Sequence, residues 1–184
     1  MKAIEELKNE HRGIQLMLRI LDQIGKKAEN GHVVDQDHLS KILEFLTVFV
    51  DKCHHGKEED FLFPALEAAG VQKTGGPIGL MLQEHETGRS LVAKIKDGVS
   101  ALPPINDQAI ESFLRAVRDY IALLTQHIEK EDNVLFPMAE KRLDAGTDAT
   151  LYESFEQLEH ERIGEGKHEE FHSLLTMLEQ EYLR

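Results

Sequence analysis

The chain has 184 residues, enough for one domain with a substantial core, and its single cysteine excludes an internal disulfide. Asp and Glu outnumber Lys and Arg by 34 to 21, and the resulting net charge of -13 opposes binding to phosphate backbones and anionic lipid headgroups. The amino terminus has no apolar secretory run, and no later segment has about 18 consecutive apolar residues. We therefore expect a soluble cytoplasmic protein with no nucleic-acid or membrane partner.

Apolar residues recur at alternating spacings of three and four, which is typical of amphipathic helices packed around a shared core. In chain order the pattern predicts helices at about residues 4–21, 37–69, 77–99 and 107–143. Turn-forming residues mark the breaks, at Asn30-Gly31, Gly75-Gly76-Pro77, Pro103-Pro104 and Gly146. Short connections between long helices imply antiparallel neighbours, so the predicted fold is all-α, an up-down-up-down antiparallel four-helix bundle.

The end of the chain has apolar positions of its own, interrupted by Gly164 and Gly166. We interpret residues 147–184 as a C-terminal helical extension packed on the bundle, so that core 1–143 and extension form one domain. Pro64 and Pro137 lie inside the second and fourth predicted helices. Each removes one backbone hydrogen bond and should kink or end the regular helix there.

A duplicated motif is the most informative feature of the chain. His54-x3-Glu58-x3-Leu-Phe-Pro recurs 73 residues later as His127-x3-Glu131-x3-Leu-Phe-Pro. Each copy follows a Glu-His pair, Glu10-His11 or Glu84-His85. Residues four apart share one face of a helix, so each His-x3-Glu can direct an imidazole and a carboxylate at one point.

These motifs place charged groups in the predicted core. Two ionised glutamates cannot lie in an apolar interior without a compensating charge, and no Lys or Arg occupies the predicted apolar stripes. A metal centre removes this conflict, and four imidazoles with two carboxylates suit iron, zinc or manganese better than magnesium or calcium. The predicted metal ligands are His11, His54, Glu58, His85, His127 and Glu131.

Other candidates have simpler interpretations. His55 and Glu59 also show the His-x3-Glu spacing but lie outside the repeat, so they are kept as outer contacts or extra ligands. Tyr120 and Thr47 each precede a ligand histidine by two helical turns and are either ordinary core residues or groups that steer an oxygen ligand. Surface positions or simple packing explain the rest: His32, His38, His160, His168, His172 and Cys53.

The order His11, His54-x3-Glu58, His85 and His127-x3-Glu131 resembles the hemerythrin-like family of HHE cation-binding domains over about residues 1–143. The resemblance implies two iron ions in a four-helix bundle, forming an oxo- or hydroxo-bridged non-haem centre. It also implies that Glu58 and Glu131 bridge the irons. His11 and His54 would then face one iron, and His85 and His127 the other.

One departure from the family pattern bears on function. Oxygen-carrying hemerythrins have two histidines four residues apart on the third helix, whereas Met81 and Arg89 flank His85 here. The site is therefore more open, or it recruits a carboxylate such as Glu59 or Glu84.

The leading hypothesis is a di-iron protein that binds or reacts with O2, another small diatomic or peroxide, in oxygen binding, sensing or detoxification. Iron handling, or a metal-responsive regulatory or interaction module, is the alternative. An enzyme that acts on a defined organic substrate is not supported, because no set of nucleophile and base and no phosphate loop occurs. Other enzymatic activity is left open. The sequence identifies no protein partner.

Overall fold

The computed structural model describes residues 1–100, 107–164 and 166–184, and every regular element in these ranges is a helix. Helix α1 spans Lys2–Glu29 and α3 spans Pro77–Ser100. Helices α2 and α4 each contain π-helical turns. Helix α2 consists of the α-helical segments Gln36–Glu44 and Phe63–Ala68, with the π-helical segments Phe45–His55 and Glu58–Leu62 between them. Helix α4 consists of Asp107–Lys130, the π-helical segment Glu131–Leu135, and Phe136–Arg142. Helix α5 spans Ala145–Arg162, and α6 spans Lys167–Tyr182.

The first four helices contact one another in a closed cycle: α1 packs on α2 and α4, and α3 packs on α2 and α4. Their buried apolar residues form two clusters, one at each side of a polar layer. Along α1, for example, Leu7 belongs to one cluster and Ile14 to the other, and His11 lies between them. Helix α3 has the same order along the chain, and α2 and α4 have the reverse order. The fold therefore places one buried polar layer across all four helices.

The two prolines do not end their helices. Both α2 and α4 widen into π-helical turns immediately before the proline, where Phe63 N–H donates to the carbonyl of Glu58 and Phe136 N–H to that of Glu131. Proline lacks an N–H and clashes with the carbonyl four residues earlier, so a wider turn relieves both problems. The regular α-helical pattern is interrupted as predicted, but each helix continues for at least another turn.

The predicted breaks are mostly confirmed. Helix α1 ends before Asn30-Gly31, where Gly31 adopts a positive φ of 74°, and α3 begins at Pro77. The break predicted at Gly146 lies two to three residues earlier, at Leu143 and Asp144, because α4 ends at Arg142 and α5 begins at Ala145. Asp144 caps that helix by accepting a hydrogen bond from Thr147 N–H at 2.8 Å, which fixes the start of the helix two residues before the glycine. The break at Pro103-Pro104 lies outside the described residues.

Two helices of the described residues, α5 and α6, follow the fourth helix, and the interruption predicted at Gly164 and Gly166 lies between them. Helix α5 packs on α1 and α2, and α6 packs on α1 and on the π-helical part of α2. The packing buries Leu151, Phe155, Leu158, Phe171, Leu175 and Leu178. In the part of the chain that is described, no helix is both long and apolar enough to cross a membrane.

Candidate metal centre

The six predicted ligands meet in the polar layer, and each is at most 2% exposed. Their donor atoms form two groups, each with all atoms within 4.8 Å of one another. One group contains His11 and His54, the other contains His85 and His127, and both groups share Glu58 and Glu131. The structure therefore brings together every predicted ligand, in two histidine pairs around two shared carboxylates.

The two histidine pairs have nearly the same geometry. The rings of His11 and His54 lie 4.7 Å apart at 60°, and those of His85 and His127 lie 4.8 Å apart at 65°. Glu131 faces one histidine of each pair, with its oxygens 3.2 Å from His11 Nε2 and 3.4 Å from His127 Nε2. Each pair thus presents two imidazoles at similar angles to a shared carboxylate.

Glu58 has the matching position on the other side. Its oxygens lie 3.4 Å from His85 Nε2 and 3.7 Å from His54 Nε2. All four oxygens of Glu58 and Glu131 lack a hydrogen-bond partner with suitable geometry, and so do His11 Nε2 and His54 Nε2. Buried polar atoms in native proteins are nearly always satisfied, so this concentration of unpartnered donor atoms fits a site that takes cations.

Carboxylates on the outer side of the polar layer orient two of the candidate ligands, His54 and His127. His54 Nδ1 donates to Glu10 at 2.7 Å, and His127 Nδ1 donates to Glu84 at 2.9 Å. Glu10 and Glu84 are the first members of the two repeated Glu-His pairs. Because a carboxylate only accepts, each Nδ1 carries the proton and each Nε2 presents its lone pair to the centre.

The other two histidines of the site, His11 and His85, also donate Nδ1–H to carboxylates. His11 Nδ1 donates to Asp132 at 2.8 Å, and His85 Nδ1 donates to Glu59 at 2.7 Å. Asp132 and Glu59 occupy equivalent positions of the repeat, one residue after each shared glutamate. Glu59 and Glu84, considered from the sequence as replacement ligands, are therefore outer partners of His85 and His127 in this structure.

Two lysines complete this outer layer, and neither was singled out from the sequence. Lys57 donates to Glu10 at 2.6 Å and to Glu159 at 2.5 Å, and it also contacts Glu6; its side chain is 0% exposed. Lys130, its equivalent in the repeat, contacts Glu84. The repeated lysine was visible as part of the duplicated motif, but a buried lysine is rare enough to be overlooked.

Burial and charge set the protonation of the metal-free site. Burial raises the pKa of Glu58 to about 8, and the negative charge of Glu131 adds to this effect. Burial alone would lower the pKa of His11, but its hydrogen bond to Asp132 and the carboxylate of Glu131 at 3.2 Å raise it to about 10. Burial, with the nearby charge of His11, lowers the pKa of His54 well below its usual value. Without metal, the negative charge of the buried carboxylates is thus partly balanced by protons on Glu58 and His11. Metal ions would balance the same charge.

His55 is a buried neighbour of the site, 4% exposed, with neither ring nitrogen hydrogen-bonded. Its ring stacks on that of His85, with centroids 3.8 Å apart and planes at 13°. A nitrogen lone pair lies in its ring plane, so the planes of two imidazoles that bind one metal must meet at that metal. Nearly parallel stacked rings do not meet this condition. The stacking favours an outer contact of His85. The donor atoms of His55, His85 and His127 nevertheless lie within 4.8 Å of one another, so both interpretations of His55, outer contact and extra ligand, stay predictions.

The remaining polar candidates fall into two kinds. The Thr47 hydroxyl donates to the carbonyl of Leu43 at 2.8 Å, and the buried Cys53 thiol has its pKa raised by burial, so both are packing residues. Tyr120 is 2% exposed, and no hydrogen bond of its hydroxyl is found within the described residues.

The C-terminal histidines lie away from the two groups. His172 and His160 are exposed, as is His32, whereas His38 is partly buried and lies 2.8 Å from the Tyr182 hydroxyl. His168 is half-buried and forms a further possible donor group with Glu10 and Glu159. The ammonium of Lys57 already bonds both of these carboxylates, so a cation occupies that position.

Comparison with known proteins agrees with this geometry. The sequence model of the hemerythrin HHE cation binding domain family matches residues 2–139. An uncharacterised protein of Mycobacterium tuberculosis is 26% identical over 163 residues, which cover 89% of this chain and 63% of that protein. The same figures hold for a protein of Mycobacterium bovis.

A second group of relatives carries a functional name. The iron-sulfur cluster repair protein YtfE of Salmonella newport is 30% identical over 117 residues, 61% of this chain and 53% of that protein. This chain therefore covers only about half to two thirds of the length of these curated relatives. No solved structure matches the chain.

Proposed function

The chain belongs to the hemerythrin HHE cation-binding domain family, and from this we propose that it is a non-haem di-iron protein that binds or reacts with dioxygen or a related small molecule. The observation that carries the proposal is the orientation of four buried histidines. Each histidine donates Nδ1–H to an outer carboxylate and directs Nε2 toward one of the two shared glutamates, Glu58 or Glu131. This arrangement is characteristic of metal-ligating histidine.

In this proposal His11 and His54 bind one iron, His85 and His127 bind the other, and Glu58 and Glu131 bridge the two. The donor set fits, because imidazole and carboxylate together suit iron. When bound, an iron pair supplies redox capacity and an open coordination position for a small ligand. The protein orients the imidazoles, holds the carboxylates in register and excludes water with the apolar clusters on both sides of the layer.

The architecture expected from the sequence is part of the same proposal. An up-down-up-down antiparallel bundle of α1–α4 is supported by their closed cycle of contacts. We include α5 and α6 as an extension within a single domain, because they pack on α1 and α2. The cytoplasmic location expected from the sequence also belongs to the proposal.

Iron handling, or a metal-responsive module, is the second candidate. Relatives named as iron-sulfur cluster repair proteins support the first of these roles. The metal-responsive role is supported by a chain of hydrogen bonds from α5 to His54. Lys57 donates to both Glu159 of α5 and Glu10, and Glu10 accepts a hydrogen bond from His54. Metal occupancy at His54 would then be linked to the docking of the extension.

Iron stoichiometry tests the shared carboxylates. We expect two irons in the parent chain and the loss of both in Glu58→Ala and in Glu131→Ala, since each residue contacts both histidine pairs. His54→Ala and His127→Ala should bias the loss toward one iron. Exposed Glu129 lies on the same helix as Glu131, so Glu129→Ala is a matched control that keeps both.

Two readouts accompany the metal analysis. The visible spectrum of the reduced protein before and after exposure to air reports whether an iron pair forms and reacts with oxygen. Thermal melting, with the chelator-treated parent as reference, reports the coupling of metal to folding. Retention of two irons and the parent melting temperature in both glutamate variants would refute the shared site.

A further inference from the structure

A cavity of about 90 Å³ lies beside one half of the metal centre, between α2, α3 and α4. We call it the Tyr120 cavity. It is large enough for several waters or one small molecule of two or three heavy atoms. Its lining residues are Leu46, Thr47, Val50, Asp51, His55, Gly88, Arg89, Val92 and Tyr120.

The inner end of the Tyr120 cavity has two buried polar side chains. His55 and Tyr120 are 4% and 2% exposed. Neither has a well-formed hydrogen bond within the described part of the chain, and His55 Nδ1 has a long contact of 3.5 Å with Asp51. A neutral imidazole can both donate and accept, and a phenol can do the same. Buried groups of this kind normally have partners, so a molecule that hydrogen-bonds would complete the pocket.

The outer end is closed by an ion pair that is partly exposed. Arg89 donates to Asp51 at 2.7 Å and to Glu59 at 2.6 Å, and the side chains of Arg89 and Asp51 are 35% and 32% exposed. The guanidinium is already balanced by two carboxylates, and the chain as a whole carries a charge of -13. The mouth therefore repels anions and leaves the entry of neutral molecules unaffected.

In the other half of the site, apolar residues occupy three of the positions that are equivalent to residues lining the Tyr120 cavity. The 73-residue repeat places Ile128 at the position of His55 and Leu124 at that of Asp51. Aligning Glu10-His11 with Glu84-His85 places Ile14 at the position of Gly88. Both isoleucines and Leu124 are at most 2% exposed and belong to the larger apolar cluster. Asp51, His55 and Gly88 of the His85 half thus have aliphatic counterparts in the other half.

Resting on the di-iron function proposed above, we propose that the Tyr120 cavity is the access pocket for a small neutral oxygen-bearing molecule, the size of dioxygen or hydrogen peroxide, at the His85–His127 half of the centre. His55, stacked on His85, and the Tyr120 hydroxyl are its hydrogen-bonding groups. The other half has buried aliphatic side chains, Ile14, Leu124 and Ile128, at the equivalent positions. Two metal positions with similar ligands therefore differ in access.

Nitric oxide is a suitable neutral diatomic probe. We expect Val92→Phe, which fills the cavity, to slow its association with the reduced iron-loaded protein by about tenfold or more in stopped-flow absorption. Tyr120→Phe keeps the space but loses one hydrogen bond and should slow association by roughly three- to tenfold. Val134→Phe is the matched control, because Val134 is 53% exposed and lines a separate cavity of about 120 Å³.

Xenon provides a readout that needs no iron. Crystals of the metal-free parent under xenon pressure should show xenon among Val50, Gly88 and Val92, and crystals of Val92→Phe should not. Gly88→Val is a second filling variant if Val92→Phe folds poorly, since a Cβ at Gly88 would meet only ordinary contacts at 3.8–3.9 Å.

The outcomes separate the two proposals. Equal nitric oxide rates in the parent, Val92→Phe and Gly88→Val overturn the pocket while leaving the di-iron function intact, as does the absence of xenon from the parent cavity. A parent that loads no iron overturns the di-iron function and, with it, the role of the pocket. Iron analysis of each sample shows which of these has occurred.

Discussion

The two halves of the metal centre repeat each other in their ligands but differ in what covers them. Around His54, the outer pair of Glu10 and Lys57 lies beneath α5, and Lys57 is 0% exposed. Around His127, the equivalent pair of Glu84 and Lys130 lies at the surface, and Lys130 is 37% exposed.

The comparison separates what metal binding requires from what the rest of the fold adds. Both halves keep a carboxylate on each histidine Nδ1, so this feature belongs to the site itself. Burial of the lysine occurs only where the C-terminal extension packs. Access through the Tyr120 cavity is proposed only for the opposite half. One half thus faces the extension, and the proposed ligand pocket lies at the other half.

The largest expected difference between the halves concerns stability. Lys57→Met leaves Glu10, Glu6 and Glu159 without their shared cation and should lower the free energy of unfolding by about 3–5 kcal/mol, as when one partner of a buried ion pair is removed. Lys130→Met removes a partly exposed contact to one carboxylate and should cost about 1 kcal/mol or less. Urea unfolding of the metal-free proteins measures both values. Equal losses would show that the extension does not make the halves different.

The sequence predicts the long helices and the candidate ligands, but not all of the residues around them. The four long helices and the six ligands follow from apolar spacing and from the duplicated motif, because both are local regularities. Lys57 was missed because its partners come from distant parts of the chain; Glu159 lies 102 residues away. Spacing along one helix carries no information about such partners.

The arrangement of His55 shows a second limit. The sequence gives two adjacent histidines at positions 54 and 55, and only the repeat distinguishes them. Whether His55 stacks on His85 or binds a metal depends on the turn of the helix, and this segment is π-helical rather than α-helical. Likewise, Asp144 rather than Gly146 defines the start of α5, because the side-chain cap decides the boundary.

A smaller effect is expected from the outer carboxylates, and it should be the same in both halves. Glu10→Gln and Glu84→Gln each weaken the hydrogen bond that orients a ligand histidine, so each should lower metal affinity by about 10- to 100-fold. Competition with a chelator of known affinity measures the change. Exposed Glu86 lies on the same helix as Glu84, and Glu86→Gln should leave affinity at the parent value. A loss confined to one half would show that the two metal positions are not held alike.

The smallest effect is expected in the C-terminal extension. His168→Ala and His172→Ala should leave iron stoichiometry unchanged, because Lys57 already occupies the cation position formed by Glu10 and Glu159. Iron analysis of the purified variants is sufficient. Loss of either iron would place a metal ligand on α6 and join the extension to the site directly.

The central claim is that both halves share Glu58 and Glu131, and a crystal structure of the iron-loaded protein tests it most directly. We expect two irons about 3–4 Å apart, the spacing that bridging ligands impose in two-metal sites. One iron should be bound by His11 and His54, the other by His85 and His127, with both glutamates between them. A single iron, or irons remote from Glu58 and Glu131, would contradict the account.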